Sequence, residues 1–392
     1  MCFGFAFCVR PPMNGDVVRA NQEKRCEVVN VMRSSLRWMT PAVAVVVCVS
    51  AMAGSAWAAE LTDQRGRTVA VTTPAQRVVF LPMPAPSTYM AIDRSAAHVT
   101  GMNPASATAM RAGILSRIFP SFDQIPTGIT RGAGVVPNVE AIMALHPDAV
   151  LQWATSGDEP IAMLDRAGLT VLGLRYGGQD EVEGAILMMG RLAGQEARAG
   201  RIVERLRQRQ DVLATTFRAT PDAERPRVLH LSRASDSFAV AGRDTYTDFV
   251  IRTAGGRNAA GEVGGSRTVT LEQLLVWNPD VILLGNFDTA MPADLYGDPR
   301  LQGIAAIKQR RVYRVPLGGY RWDPPSHESA LAWTWLAKLL HPDRLTTDLR
   351  TEMRDWYSFL YNHALADAEI DAILQTPQNS GSAGYARFAA AR

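Results

Sequence analysis

Beyond residue 48 this chain of 392 residues has no cysteine: Cys2, Cys8, Cys26 and Cys48 are its only four. Disulfide frameworks, thiolate nucleophiles and cysteine-bound zinc are thereby excluded for everything downstream. No apolar run reaches the roughly 20 residues that a membrane-spanning helix needs. The run over residues 41–53 is shorter, follows Arg33 and Arg37, and leads to Ala56-Trp57-Ala58, a small-x-small pattern. That arrangement reads as a cleavable export signal cut near Ala58, with translation expected to start at Met32. Val45-Val46-Val47 before Cys48 is too bulky for a lipoprotein site, so no lipid anchor is expected, and an exported protein without one is best retained in a periplasm. Excess charge is missing too. With six basic and three acidic groups of residues 1–59 set aside, 35 Lys+Arg face 35 Asp+Glu, and no basic stripe suggests nucleic acid.

Signatures of catalysis are equally scarce. There is no Gly-x-Ser-x-Gly elbow, no phosphate-cradling glycine loop and no His-Glu-x-x-His, since Leu331 stands four residues after His327. The six histidines, at 98, 146, 230, 327, 341 and 363, have no metal-ligand spacing. The sequence therefore predicts no enzyme, no resident cofactor and no metal centre.

What the chain does have is an internal repeat. Glu140-Ala-Ile-Met-Ala-Leu-His-Pro147-Asp148 returns 132 residues later as Glu272-Gln-Leu-Leu-Val-Trp-Asn-Pro279-Asp280, each copy followed by an apolar run. Each copy reads as a short helix capped by Asn138 or Thr270, broken before proline, then a buried strand. Copies so far apart are not solenoid repeats of roughly 20–50 residues. They predict two similar α/β lobes with a cleft between them.

The rest of the pattern agrees. Strands are expected at 77–81, 98–101, 149–153, 169–174, 227–231, 281–285 and 311–315, alternating with helices, which implies mostly parallel sheets. Residues 179–217 favour helix throughout, in two parts divided near Gly194, with Ile202, Val203, Leu206, Val212 and Leu213 on one face. The expected divisions are a leader over 1–59, an N-terminal lobe over 60–178, a helical connector over 179–220, a C-terminal lobe over 221–376 and a disordered tail over 377–392. Trp333 and Trp335 are assigned to the core.

Loops at the carboxyl ends of the strands are where an open α/β sheet binds its ligand. Those loops carry Met83, Ser87, Trp153, Arg175, Tyr176, Arg233, Arg243, Tyr246, Asn286, Phe287 and Tyr320-Arg321-Trp322. Arginines and rings suit a ligand that is anionic, flat and partly apolar. The plainer reading of any one arginine is a solvated loop charge, and Trp322-Asp323-Pro-Pro also reads as a structural turn capped by Asp323 or Ser326.

The paired Glu…Pro-Asp units, the mid-chain helix, the turn Ala254-Gly-Gly-Arg-Asn258 and the stretch from Val315-Pro316 through Trp322-Asp-Pro-Pro-Ser326 to His341-Pro342 together resemble a known family. It is that of the periplasmic substrate-binding proteins of ABC importers for ferric siderophores, haem and cobalamin, and the resemblance covers residues 60–375. It implies two Rossmann-like lobes joined by a single long helix, with the ligand cleft between them. It implies a monomer that hands a metal chelate, a ferric siderophore first among candidates, to a permease dimer with its ATPase. Haem, cobalamin, a nickel or cobalt chelate or molybdate on the same scaffold, and an exported cleft enzyme, stay open as alternatives. By resemblance, Glu140 and Glu272 dock onto the two permease subunits; by grammar alone, each merely complements its helix dipole. The expected ligand-binding set is Tyr320, Arg321, Trp322, Arg233, Tyr246, Trp153 and Arg175.

Overall fold

The computed structural model describes residues 57–132, 136–234 and 237–390. The apolar run of the export signal, the start at Met32 and all four cysteines lie outside them. Trp57–Thr62 pairs antiparallel with Thr68–Thr73, so the expected processing point near Ala58 falls inside a strand.

Four parallel strands make the N-terminal lobe's sheet, in the order Val99–Met102, Val78–Phe80, Ala149–Trp153, Val171–Leu174. Helices lie against such a sheet on both faces, so its strands must be apolar throughout and not alternating. Val78, Val79 and Phe80 are all fully buried, as are Ala149, Val150 and Leu151. The C-terminal lobe repeats this centre with Arg227–Arg233, Val281–Leu284 and Val312–Arg314 in parallel. It then adds Phe238–Ala241 and Ser266–Val269 antiparallel at one edge, and the short Arg257–Asn258 beside Arg227–Arg233. Neither of these antiparallel edge strands is among those expected from the sequence. The reason is physical: an edge strand whose residues are mostly exposed, as Ser266–Val269 is, carries no hydrophobic period to read.

Gln179–Leu192 and Glu196–Phe217 form the connector, parted at Gly194, whose φ of +62° suits glycine. The first packs on the N-terminal lobe's helix Ala85–Asp93 and its hairpin. The second, 22 residues or about 33 Å long, packs on Tyr246–Thr253 and Ser329–Leu340 of the other lobe. Its inner face is Ile202, Val203, Leu206, Leu213 and Phe217; Val212, expected there, is 48% exposed. Arg198 staples this helix across the lobes. Its buried guanidinium donates to Ala91 O and Ile92 O at the end of Ala85–Asp93, and to Phe359 O and Leu360 O at the end of Leu349–Tyr361. A cation at two helix C-termini is favourable even though burial lowers its pKa to about 10. The two lobes are thus joined stiffly.

The expected disordered tail is instead folded down. Tyr385 and Phe388 are 1% exposed, Tyr385 stacks on Tyr313, and Asn379 bridges the backbone N–H and C=O of Arg314. Its Ser-Gly-Ala composition concealed two aromatic anchors.

Candidate functional site

The repeat seen in the sequence is a repeat in bonding. In the N-terminal lobe Asp148 accepts the backbone N–H groups of Gln76 and Arg77, while the Arg77 guanidinium donates to Leu145 O. In the C-terminal lobe Asp280 accepts from Arg227 N, and the Arg227 guanidinium donates to Trp277 O. Leu145 and Trp277 are equivalent repeat positions. So are His146 and Asn278, with φ of +44° and +41°. Val139–Ala144 and Leu271–Trp277 are therefore fixed to their sheets by the same device, the Asp of the Pro-Asp pair clasping the start of a central parallel strand. Ile142 and Leu274 face inward from them, and Glu140 and Glu272 face solvent. Arg131 reaches Glu140 at 3.4 Å, whereas Glu272 is held below the usual carboxylate range by its own backbone N–H and then by the Thr270 hydroxyl.

At the junction of the lobes the loop between Val312–Arg314 and Ser329–Leu340 carries Tyr320-Arg321-Trp322. Arg321 is half-buried, donates to Asn286 O at 3.1 Å and to the Tyr320 hydroxyl at 3.2 Å, and lies 4.4 Å over the Phe287 ring. Asn286 is itself held, its backbone N–H at 2.6 Å and its amide at 3.1 Å from the buried Asp323 carboxylate. Burial works to raise Asp323, but His230 and Asn286 outweigh it and hold the carboxyl low. Across the junction Tyr176 packs edge-on to Trp153, 6.2 Å between centroids, and donates to Thr88. Burial pushes the Tyr176 phenol up, and the nearby Tyr320 adds to that shift.

Behind this loop is a group that sequence reasoning missed. Glu328, 1% exposed, accepts from Gly319 N at 3.1 Å, Trp322 Nε1 at 2.7 Å, Tyr361 Oη at 2.6 Å and Tyr357 Oη at 3.2 Å. Burial nonetheless pushes its carboxyl above the ordinary range. A Cβ on Gly318 would stand 2.1 Å from the carboxylate, so the loop passes there only as glycine. His327 continues the network between lobes, Nδ1 to Thr88 at 3.1 Å and Nε2 to Tyr361 at 2.5 Å, and burial lowers its pKa to about 3. Gly318-Gly319 ahead of the aromatic triplet was the available signal.

The remaining expected residues divide. Arg175 is exposed at its strand end, with Nε on Gln64 O and a 3.8 Å approach to Glu181. Arg233 is exposed at the end of its strand, where its backbone pairs with Ala239, and its side chain has no hydrogen-bond or ion-pair partner among the described residues. Tyr246 lies elsewhere: it is buried, its hydroxyl taken up by Ser329 and Trp333 and its ring packed on Phe249, so the structure makes it core. Trp322 turns its indole N–H inward to Glu328 and is 2% exposed. Trp333 and Trp335 are core, as read.

Two α/β lobes, a helical bridge between them and side chains gathered at the junction define a two-lobed binding protein. The sequence profile of the Periplasmic binding protein family matches residues 115–317, and the chain belongs to that family. The molybdate-binding protein of Haemophilus influenzae is 27% identical over 245 residues, covering 57% of this chain and 70% of that one. A cobalamin-binding protein of Halobacterium salinarum is 28% identical over 228 residues, covering 54% of this chain and 60% of that one. A periplasmic solute-binding protein of Veillonella parvula superposes with a TM-score of 0.76 at 27% identity, over 83% of this chain and 99% of that one. The crystal structure of the Haemophilus protein with molybdate superposes at 0.70 with 22% identity, over 79% and 99%, a likeness of fold. The relatives are transport-associated binding proteins, not enzymes, and a periplasmic substrate-binding protein of an ABC transporter works with a permease and an ATPase. No helix among the described residues is long and apolar enough to cross a membrane.

Proposed function

We propose that this chain, as a monomer in the periplasm, captures an anionic metal chelate, a ferric siderophore first among candidates, and hands it to the permease. The observation that supports this most is Arg321, whose guanidinium lies 4.4 Å over the Phe287 ring and 5.5 Å over the Tyr320 ring, with Tyr176 and Trp153 packed together at the end of the other lobe's strands. A fixed cation flanked by rings favours a ligand with anionic oxygens and a flat, partly apolar body. Arg233 and Arg175 extend the positive rim. Glu140 and Glu272, exposed at equivalent points of the two lobes, serve as docking carboxylates for a permease dimer of two-fold symmetry.

A second reading has its own support. The Haemophilus influenzae relative is a molybdate-binding protein, and a small tetrahedral oxyanion would also be met by Arg321 and a phenol hydroxyl. Tryptophan-fluorescence titration separates them, with ferric catecholate, hydroxamate and carboxylate siderophores, haem, cobalamin, nickel chelates and molybdate as the panel. Saturable submicromolar quenching by one ferric chelate and not by its iron-free form is expected. A response to molybdate alone overturns the chelate reading.

A further inference from the structure

Seven large apolar side chains are strongly exposed among the described residues, and three of them lie on the two repeated helices: Met143, Leu275 and Val276. The other four, Val136, Leu187, Val212 and Phe287, are scattered over a short strand ahead of the first repeat, the connector and the cleft rim. The clustering obeys the repeat. Met143 and Leu275 are equivalent positions, each three residues after the docking glutamate and so on the same helix face as it. They are 47% and 39% exposed. At the next position the N-terminal lobe has the exposed Ala144 and the C-terminal lobe has Val276, 77% exposed. Isolated exposed apolar residues need no explanation, but a pair reproduced at matched points of two lobes is a surface feature.

We infer that Met143 in one lobe and Leu275 with Val276 in the other form the apolar half of the surface that docks on the permease dimer. Each lobe then offers its subunit a carboxylate to orient the encounter and an apolar ledge beside it to exclude water around the resulting ion pair. An exposed ion pair alone contributes little, and drying its surroundings is what makes such a contact matter. The occupant is fixed by symmetry: two equivalent acidic-apolar patches on one chain fit a partner that presents the complementary basic-apolar patch twice. The ledges are unequal, so the C-terminal lobe supplies the larger share of apolar contact.

This rests on the reading of Glu140 and Glu272 as docking residues, and the test keeps the two apart. Photoreactive p-benzoylphenylalanine is placed singly at 140, 143, 272, 275 and 276 of the full chain, and at 187 and 212 as equally exposed controls. Intact producing cells are irradiated, and captured proteins are identified by mass spectrometry. The expected result is capture of an ABC permease subunit from 143, 275 and 276 at tenfold or more above 187 and 212, strongest at 276. Capture from 140 and 272 without 143 and 276 overturns the apolar ledges and leaves glutamate docking standing. Capture from none of the five overturns both. Equal capture from 187 and 212 overturns the ledges, because the contact is then not localised to the repeated helices.

Discussion

The two lobes match on their outer helices and differ at the cleft. Outside, Asp148 and Asp280 clasp the start of a central parallel strand in their lobes, His146 and Asn278 share a left-handed turn, and Ile142 and Leu274 anchor helices that expose Glu140 and Glu272. At the junction no such match exists. The N-terminal lobe brings Trp153 and Tyr176, while the C-terminal lobe brings a glycine-bearing loop whose Arg321 is held by Asn286, itself fixed by Asp323, and whose backbone is held by Glu328. Symmetry is retained where a two-fold partner would be met and lost where one asymmetric ligand would be gripped. The duplicated clasp is structural, and the unduplicated brace is what sets the shape of the cleft.

The largest expected effect is at that brace. Glu328→Leu strands the N–H and O–H donors of Gly319, Trp322, Tyr357 and Tyr361 in a dry interior, and removal of one member of such a buried network costs about 3–5 kcal/mol. Urea unfolding followed by circular dichroism measures it. A loss below about 1 kcal/mol would mean that the loop keeps its shape without the carboxylate, and that the C-terminal lobe is no more braced than its counterpart.

Arg321→Ala tests which lobe dominates the grip. Charge-assisted hydrogen bonds contribute about 1.5–3 kcal/mol, so this substitution should weaken cargo binding roughly tenfold to a hundredfold in the fluorescence titration. Arg175→Ala, at an exposed residue already engaged with Gln64 and Glu181, should change affinity by less than about threefold. Equal losses from both would show a grip shared evenly between lobes.

A smaller difference lies in the clasps. Asp280 takes both the backbone N–H and the guanidinium of Arg227, at 2.8 and 3.0 Å, and against the upward pull of burial Arg227 holds its carboxyl below the usual range. Asp148 takes backbone N–H groups only, because the Arg77 guanidinium goes to backbone carbonyls. Asp280→Asn should therefore cost about 1.5–2.5 kcal/mol and Asp148→Asn about 1 kcal/mol in the same unfolding measurement. The reverse order would mean that the guanidinium pair is screened into irrelevance.

How much of this was legible follows from the kind of signal each part carries. The buried parallel strands announce themselves as apolar runs, and the repeat announces two lobes, so residues 149–153 and the division of the connector at Gly194 could be read directly. The edge strand Ser266–Val269 could not, having no buried face, and the tail's anchors Tyr385 and Phe388 are two rings in a stretch whose composition favours disorder. At the site, the Tyr320-Arg321-Trp322 loop was readable by its residue types, but the roles within it were not. Only the fold sends the Trp322 indole inward to Glu328 while Arg321 stays at the junction, and only the fold carries Tyr246 into the core. Contacts between residues far apart in sequence leave no period behind.

The smallest expected effect strikes at the repeat itself, because its two helices begin differently. Thr270 caps its helix, the hydroxyl accepting from Gln273 N at 3.3 Å. Asn138, expected to do the same, has no capping bond; its amide donates to Gly128 O and its oxygen accepts from Arg131, tying the helix start to the preceding turn. Loss of a hydroxyl cap costs about 1 kcal/mol, so Thr270→Ala should lower stability by roughly that amount. Asn138→Ala removes exposed contacts and should cost about 0.5 kcal/mol or less. If the two cost the same, Asn138 also caps its helix in solution and the lobes are more alike than their hydrogen bonds indicate. If only Thr270 matters, the duplicated unit has kept its clasp and its exposed glutamate while the way each helix starts has been free to drift, as expected if the clasp and the glutamate are the parts a two-fold partner depends on.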